Sequence, residues 1–292
     1  MTKDLISIVI PSYNAKKFIA ETIDSVINQS YTNWELIIID DGSTDNSKLI
    51  INEFCTADNR IKYYYQNNSG VSVARNNGIR KAKGKYIALL DADDVFEKEN
   101  LKTKINILES NKNFHWVYSN NYYADENINI VKEGPKGTDQ NILDSILLYK
   151  GEVVPGPCSN LVFLKKCFDE GVVFDQNFST TADQDFTIQL ASKFKGYYID
   201  EPLWRYRILN NSMSRGIALM EKDQLAVFKK ASKNKLFKNF WFEQQCYSNM
   251  YWIMAGSWWK NGDNKLRGIY FIILALLVNP FTLFRFLKII RK

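Results

Sequence analysis

Three acidic clusters stand beside apolar segments. Asp40-Asp41 follows Trp34 to Ile39, Asp91-Ala92-Asp93-Asp94 follows Tyr86 to Leu90, and Asp183-Gln184-Asp185 precedes a later apolar stretch. Carboxylates are costly to bury unless a metal ion or hydrogen-bond donors compensate them. In open parallel sheets, ligands bind outside the carboxyl ends of strands. Together these imply an enzyme site for a phosphorylated, metal-chelated substrate. In Asp91-Ala92-Asp93, two carboxylates at i and i+2 would leave an extended segment on one side, so both could face a divalent cation that holds a diphosphate. The bland alternatives are an acidic surface turn at Asp91 to Asp94 and a helix-capping turn at Asp40-Asp41-Gly42-Ser43. Capping and nucleotide contact are compatible.

Other phosphate devices are missing. No Gly-x-Gly-x-x-Gly occurs, which removes the main support for a dinucleotide oxidoreductase. A Walker-type loop nearly forms from Gly78 to Lys85, but five residues separate the glycines where four are required, and Tyr86 replaces Ser or Thr. The single histidine, His115, reads as a strand-edge residue between Phe114 and Trp116, so neither Ser-His-Asp catalysis nor a His-rich metal site is expected. Cys55, Cys158, Cys167 and Cys246 form no Cys-x-x-Cys pair and read as reduced, mostly buried thiols.

The elements around the clusters must position them. Leu5 to Ile10 reads as a buried strand, and Ser12 to Asn14 as the turn into a helix with Phe18, Ile19, Ile23, Val26 and Ile27 on one face. A second strand spans 34–39, and Ser43 or Thr44 can cap the helix beyond it. A third strand covers about 61–65, residues 74–82 read as a helix, and a fourth strand runs 85–90. This alternation predicts a Rossmann-like, mainly parallel sheet. Past Asp94 the pattern loosens. It gives helices at 101–108 and 142–149, a strand at 116–118, a loop at Gly134 to Gly137, and a helix at 186–194 that begins just after the third acidic cluster.

With 292 residues, 46% of them hydrophobic, the chain can bury one large α/β domain with an appendage, or two smaller domains sharing a cleft. Net charge is +6, yet seven of the 38 Lys and Arg residues and one of the 32 acidic ones lie between Lys260 and Lys292, so the rest is balanced. The basic character belongs to the tail, which argues against a nucleic-acid surface on the body. Leu5 to Ile10 is too short for a secretory apolar core, so a cytosolic protein is expected, and the Asn-x-Ser triplets at Asn67 and Asn210 are then not glycan acceptors.

Ile269 to Val278 is ten uncharged residues. After Asn279-Pro280, apolar residues alternate with Arg285, Lys288, Arg291 and Lys292. Ten residues fall well short of the roughly 20 that span a bilayer. A basic amphipathic segment lying in the headgroup layer fits better. Nine aromatic residues fall between Phe237 and Trp259. Helix packing against the body is their expected role, with a platform for an acceptor's lipid or a membrane-interface belt as alternatives.

Several ordered motifs resemble those of family 2 glycosyltransferases of the GT-A fold. They are Ser7-Ile8-Val9-Ile10-Pro11-Ser12-Tyr13-Asn14, Ile39-Asp40-Asp41-Gly42-Ser43-Thr44-Asp45, Gly70-Val71-Ser72-Val73-Ala74-Arg75-Asn76-Asn77-Gly78 and Asp91-Ala92-Asp93-Asp94. Thr181-Ala182-Asp183-Gln184-Asp185-Phe186 is similar to the family's Glu-Asp motif. Glu201-Pro202-Leu203-Trp204-Arg205-Tyr206-Arg207 is similar to its sequel, with Ser212-Met213-Ser214 beyond. The likeness covers most of residues 5–215. It implies an α/β fold: a Rossmann-like GT-A mixed sheet flanked by helices over 1–215, its nucleotide-binding half reaching about 95 and its acceptor half covering 96–215. A helical region over 216–292 would end in the membrane-associating tail.

The resemblance also implies roles. Pro11 and Tyr13 would line the nucleobase pocket, Asp41 would accept the base N–H, and Arg75 and Ala92 would approach the nucleotide-sugar. Asp91 would bind the ribose side and share a Mn2+ or Mg2+ ion with Asp93, its main ligand. Asp183 takes the position of the catalytic base, with Asp185 as the alternative if the register slips. Ala182 stands where the family usually has Glu, and Leu209 where many relatives carry His. The Gln-x-x-Arg-Trp signature of processive members is absent from the chain, so one sugar per binding event is expected.

The expectation is therefore an inverting, metal-dependent glycosyltransferase, peripheral on the cytoplasmic face of the plasma membrane. It would move a sugar from a nucleoside diphosphate, uridine by family habit, to a glycan hydroxyl, with a polyprenyl-diphosphate-linked acceptor in surface polysaccharide synthesis. A retaining hydrolase would need two carboxyls about 5 Å apart and no nucleotide pocket. Two rivals stay open: a sugar-phosphate nucleotidyltransferase, which would show a Gly-rich basic loop where Pro11 to Asn14 stands, and a non-catalytic scaffold of the same fold.

Overall fold

The computed structural model describes residues 4–138, 140–209, 216–262 and 264–282. In chain order its elements are β1 (Ile6–Ser12), α1 (Ile19–Ile27), β2 (Trp34–Asp40), α2 (Ser47–Ala57), β3 (Ile61–Tyr65), α3 (Val71–Lys81), β4 (Tyr86–Leu89), β5 (Val95–Phe96), α4 (Asn100–Ser110), β6 (Trp116–Ala124), β7 (Ile130–Glu133), α5 (Ile142–Leu147), β8 (Val162–Leu164), α6 (Lys165–Asp169), α7 (Ala182–Lys193), β9 (Gly196–Arg207), α8 (Ile217–Lys233), α9 (Phe240–Asn261) and α10 (Lys265–Val278). They form two compact units: residues 1–140 with 154–210, and residues 141–153 with 211–292.

The first unit is an α/β layer built on one mixed sheet of order β3-β2-β1-β4-β8-β6-β9-β5, with β7 paired to β6. β1 lies parallel to β2 and β4, and β2 parallel to β3. Every residue of β1 is buried, as befits a strand covered on both faces, and its apolar run is accordingly nearly continuous. The register sets Ser12 opposite Asp40, Asp40 opposite Tyr65, and Val9 opposite Leu89. The residues following β1, β2 and β4 therefore emerge along one edge of the sheet. Helix α3 packs close beneath them: a Cβ on Gly78 would stand 2.3 Å from Val9 Cγ1.

The sequence predicts a mainly parallel sheet, and beyond β4 the structure departs from that. β8 runs antiparallel to both β4 and β6, and β5 antiparallel to β9. Two further differences bear on the acidic clusters. Asp91 to Asp94 is a turn rather than a strand extension, closed by the Asp94 N–H donating to Asp91 O at 3.2 Å. Helix α7 starts at Ala182, before the third cluster rather than after it, so Asp183 and Asp185 lie in its first turn. Carboxylates are favoured there by the positive end of the helix dipole. His115 directly precedes β6, as expected, and accepts from the Leu164 N–H through its carbonyl. The four cysteines are free thiols, three of them buried.

The second unit is helical. Cys246, Met250 and Met254 of α9 and Phe271 and Ala275 of α10 are buried, and Ser248 Oγ donates to Ala275 O at 2.9 Å. The Tyr149 ring stacks on Phe228 at 5.7 Å, and Phe228 meets Tyr247 edge-on at 5.3 Å. Tyr247 thus packs within this unit, whereas Phe240, Trp241 and Trp259 are exposed. Among the described residues, no helix is long and apolar enough to cross a membrane. Arg285, Lys288, Arg291, Lys292 and Ser212 to Ser214 lie outside the described residues.

Candidate active site

The site is built from loops at the carboxyl edge of the parallel strands. Pro11 is buried at the end of β1, and Tyr13, just beyond it, is exposed. Asn14 adopts a left-handed φ of 49°, a conformation Asn tolerates better than most residues. From there its Oδ1 accepts from the Thr44 N–H at 2.8 Å, while its own N–H donates to Ser43 Oγ at 3.0 Å. The loops after β1 and β2 are thereby tied together.

Asp40 and Asp41 differ in what they hold. Asp40 is buried and accepts from the Ser43 N–H at 2.8 Å and Tyr63 Oη at 2.7 Å, so it braces its own turn. Asp41 Oδ1 accepts from Gln66 Nε2 at 2.7 Å and the Ser69 N–H at 2.8 Å, and Oδ2 accepts from the Gly70 N–H at 2.9 Å. An ionised carboxylate offers about four acceptor positions. Three are filled by the 66–70 loop, which leaves one on Oδ2.

The Asp91 to Asp94 turn is held by side chains from four other segments of the chain. Arg75 Nη2 donates to Asp91 Oδ1 at 2.7 Å. Ser159 Oγ accepts from the Asp91 N–H at 3.0 Å and donates to Asp94 Oδ2 at 2.5 Å. Thr22 Oγ1 donates to Ala92 O at 3.0 Å. Arg207 donates from its N–H to Asp94 Oδ1 at 3.0 Å and from Nε to Asp93 O at 2.6 Å. Burial, then the charge of neighbouring Asp91, pushes the Asp93 carboxyl up to about 6. Burial, then the charges of Asp93 and Asp91, raises Asp94 well above the usual range. Asp94 is the inward-facing member, and Asp91 and Asp93 remain partly open.

Asp183 sits on the first turn of α7, its Oδ1 accepting from the Gln184 N–H at 2.7 Å. Burial raises its proton affinity; the Arg75 cation counters that and the Asp91 carboxylate adds to it. Arg75 itself is buried, its guanidinium 5.2 Å from the centroid of Phe174. Phe174 stacks on Phe186 of α7 at 4.1 Å and 3°, and Phe186 meets Phe163 of β8 at 5.5 Å. This aromatic pile runs from β8 through α7 to Arg75 of α3, whose cation feels the charges of both Asp91 and Asp183. Asp185 points elsewhere, accepting from Gln189 Nε2 at 2.7 Å. Cys158 lies in the same field, and burial raises its thiol well above the ordinary value, which keeps it protonated.

The donor set bears on the expected cation. Among the described residues no three His, Cys, Asp or Glu converge to hold a metal. Two carboxylates on a half-buried turn would suit a Mg2+- or Mn2+-like ion whose remaining positions are filled by water and substrate phosphates, rather than a resident cage. Asp91 and Asp93 are the residues that would hold it, and its charge would offset the repulsion of Asp91, itself paired with Arg75, on Asp93.

Sequence reasoning did not single out Arg207, Ser159 or Thr22. Arg207 enters the sequence reading only as the last residue of the segment that resembles the sequel of the family's Glu-Asp motif; that its side chain is 1% exposed follows only from the packing of β9.

The model of the family described as "Glycosyl transferase family 2" matches residues 7–152. The putative teichuronic acid biosynthesis glycosyltransferase TuaG of Bacillus subtilis is 30% identical over 242 residues, covering 82% of this chain and 93% of that protein. Among solved structures, residues 1–349 of S. aureus TarS in complex with UDP-GlcNAc superpose with a TM-score of 0.61 at 16% identity, covering 91% of this chain and 70% of that one. The mannosyltransferase PcManGT of Pyrobaculum calidifontis, in complex with GDP-Man and Mn2+, also gives 0.61, at 12% identity, covering 95% and 87%. At these identities the structural likeness bears on the fold alone, which is of the GT-A type.

Proposed function

The chain belongs to glycosyl transferase family 2, and from its site we propose that it transfers a sugar from a uridine diphosphate donor to a glycan hydroxyl, with inversion, in surface polysaccharide synthesis. The observation that carries this reading is the double engagement of Arg75, which pairs with Asp91 at 2.7 Å and acts on Asp183 through its charge. Donor-side and acceptor-side carboxylates are thereby parts of one site.

A sugar hydroxyl is a poor nucleophile near neutral pH. Asp183 takes its proton as the oxygen attacks the anomeric carbon, and a carboxylate of raised proton affinity is the better base for this. A single base gives a single displacement, hence inversion. Pro11 and Tyr13 flank the nucleobase, Asp41 offers its remaining acceptor position to the base N–H, Arg75 and Ala92 stand beside the nucleotide-sugar, and Asp91 and Asp93 carry Mn2+ or Mg2+. When bound, that cation offsets the charge that builds on the departing diphosphate. The bound UDP-GlcNAc of TarS and the teichuronic acid named for TuaG favour a uridine donor and a surface polymer product. A panel of UDP- and GDP-sugars with Mn2+, read by nucleotide release, tests this. Release of UDP from at least one UDP-sugar is expected; release of GDP alone would move the donor to guanosine, and no release from any would end the reading.

The same reading places the protein on the inner face of the plasma membrane, with a polyprenyl-diphosphate-linked acceptor. Its support is α10, where Leu266, Ile269, Ile273 and Leu277 are exposed at helical spacing, Leu266 by 77% and Leu277 by 74%. Helix α10 carries Lys265 and Arg267 at its start and no acidic residue, although Arg267 is paired with Glu221 of α8. An apolar ridge with Lys265 at its end suits an anionic headgroup layer.

A further inference from the structure

Arg207 ends β9, and its guanidinium is almost fully enclosed, 1% exposed. It reaches three places. Nε donates to Asp93 O at 2.6 Å, Nη2 to Glu21 Oε2 on α1 at 2.7 Å, and Nη1 to Glu126 O in the loop between β6 and β7. Its Cζ lies 4.5 Å from the Phe18 ring centroid, and its own backbone N–H holds Asp94 Oδ1 at 3.0 Å. The planar fork thus fixes the carbonyl of the residue that presents the metal-side carboxylate, while the backbone N–H of Arg207 holds the carboxyl of the residue after it.

We infer that Arg207 is a positioning residue, which sets the direction in which Asp93 offers its carboxylate by clamping the Asp93–Asp94 peptide from inside the fold. The inference rests on the reading of Asp91 and Asp93 as cation ligands. A lysine in the same place keeps a charge but has a single nitrogen in place of the fork, and cannot hold a peptide carbonyl, Glu21 and Glu126 at once. The turn would then lose its fixed orientation, and small misplacements of a ligand weaken a site steeply. Glu21 supplies the second route to the same clamp, because it anchors the guanidinium without touching the turn.

The test is calorimetric titration of UDP into the full chain at a series of Mn2+ concentrations, for wild type, Arg207→Lys and Glu21→Gln. Arg207→Lys is expected to raise the Mn2+ concentration at half-maximal UDP binding at least tenfold, and Glu21→Gln about threefold. UDP affinity in EDTA should stay within twofold of wild type for both. Midpoints within twofold of wild type in the folded variants would overturn the inference. If Arg207→Lys does not fold, an unshifted Glu21→Gln overturns it alone. Wild-type UDP binding that ignores Mn2+ would instead remove the cation reading itself, and the inference with it.

Discussion

Arg75 on α3 donates from Nη2 to Asp91 Oδ1 at 2.7 Å, joining the helix behind the 66–70 loop to the acidic turn behind β4. The guanidinium is buried, and the charges of Asp91 and Asp183 help keep it protonated against the cost of that burial. One cation therefore governs both the carboxylate assigned to the donor and the carboxylate assigned to the acceptor.

Replacing Arg75 should disturb both at once. In Arg75→Gln the proton affinity of Asp183 rises further, because the opposing cation is gone. The acid limb of the kcat/KM profile moves to higher pH, and kcat/KM at pH 7.5 falls at least about 100-fold. Arg75→Lys should shift the limb less than Arg75→Gln. A pH profile of both variants measures this; equal acid limbs in wild type and Arg75→Gln would separate Asp183 from Arg75.

Stability should move opposite to activity. Asp93 binds its proton more tightly folded than unfolded, with a native value of about 6 against 3.8. Its favourable contribution is present below the unfolded value and is lost as pH rises through the native one, so at neutral pH the ionised group costs stability. Asp93→Asn is expected to stabilise the free protein by about 1–2 kcal/mol at pH 7.5 and by nothing near pH 3. Asp183→Asn should also raise Tm at neutral pH, from the same sign of shift. Thermal melts at the two pH values decide the matter.

Much of this was legible in the sequence because it rests on local pattern. The first four strands and the helices between them follow apolar runs and spacing, and their shared direction puts Pro11, Asp41 and Asp91 at one edge. What comes after Asp94 was harder. β8 has three residues and β5 two, too few to show a period, and β8 earns its place only by pairing between β4 and β6. The Asp91 to Asp94 segment reads as a strand end, yet long-range partners at Thr22, Ser159 and Arg207 fold it into a turn. The motif's position favours Asp183 over Asp185, with Asp185 as the alternative if the register slips. The α7 register then gives the two different surroundings, with Asp185 accepting from Gln189 and Asp183 within the field of Arg75.

The aromatic pile under α7 should be structural first. Phe186→Ala removes the ring between Phe163 and Phe174 and is expected to cost roughly 3–5 kcal/mol. Phe186→Leu should cost less and retain measurable turnover. Urea unfolding gives the free energies; a cost below about 1 kcal/mol for Phe186→Ala would mean the stack does not seat α7.

Membrane association should follow the α10 ridge. Ile273→Asn with Leu277→Asn, both at exposed positions, should leave Tm within a few degrees and reduce sedimentation with phosphatidylglycerol vesicles at least fivefold. Phosphatidylcholine vesicles should bind wild type weakly. Undiminished sedimentation of the double variant would leave the ridge without this role.

The central claim is that Asp183 removes the acceptor proton while Asp93 serves the departing diphosphate. It is tested most directly by UDP release from the cognate UDP-sugar in the presence of Mn2+, for wild type, Asp183→Asn and Asp93→Asn. Both variants are expected to fold and to lose at least about 100-fold in rate, with UDP binding kept in Asp183→Asn and its Mn2+ dependence weakened in Asp93→Asn. Equal release from all three proteins would contradict the account.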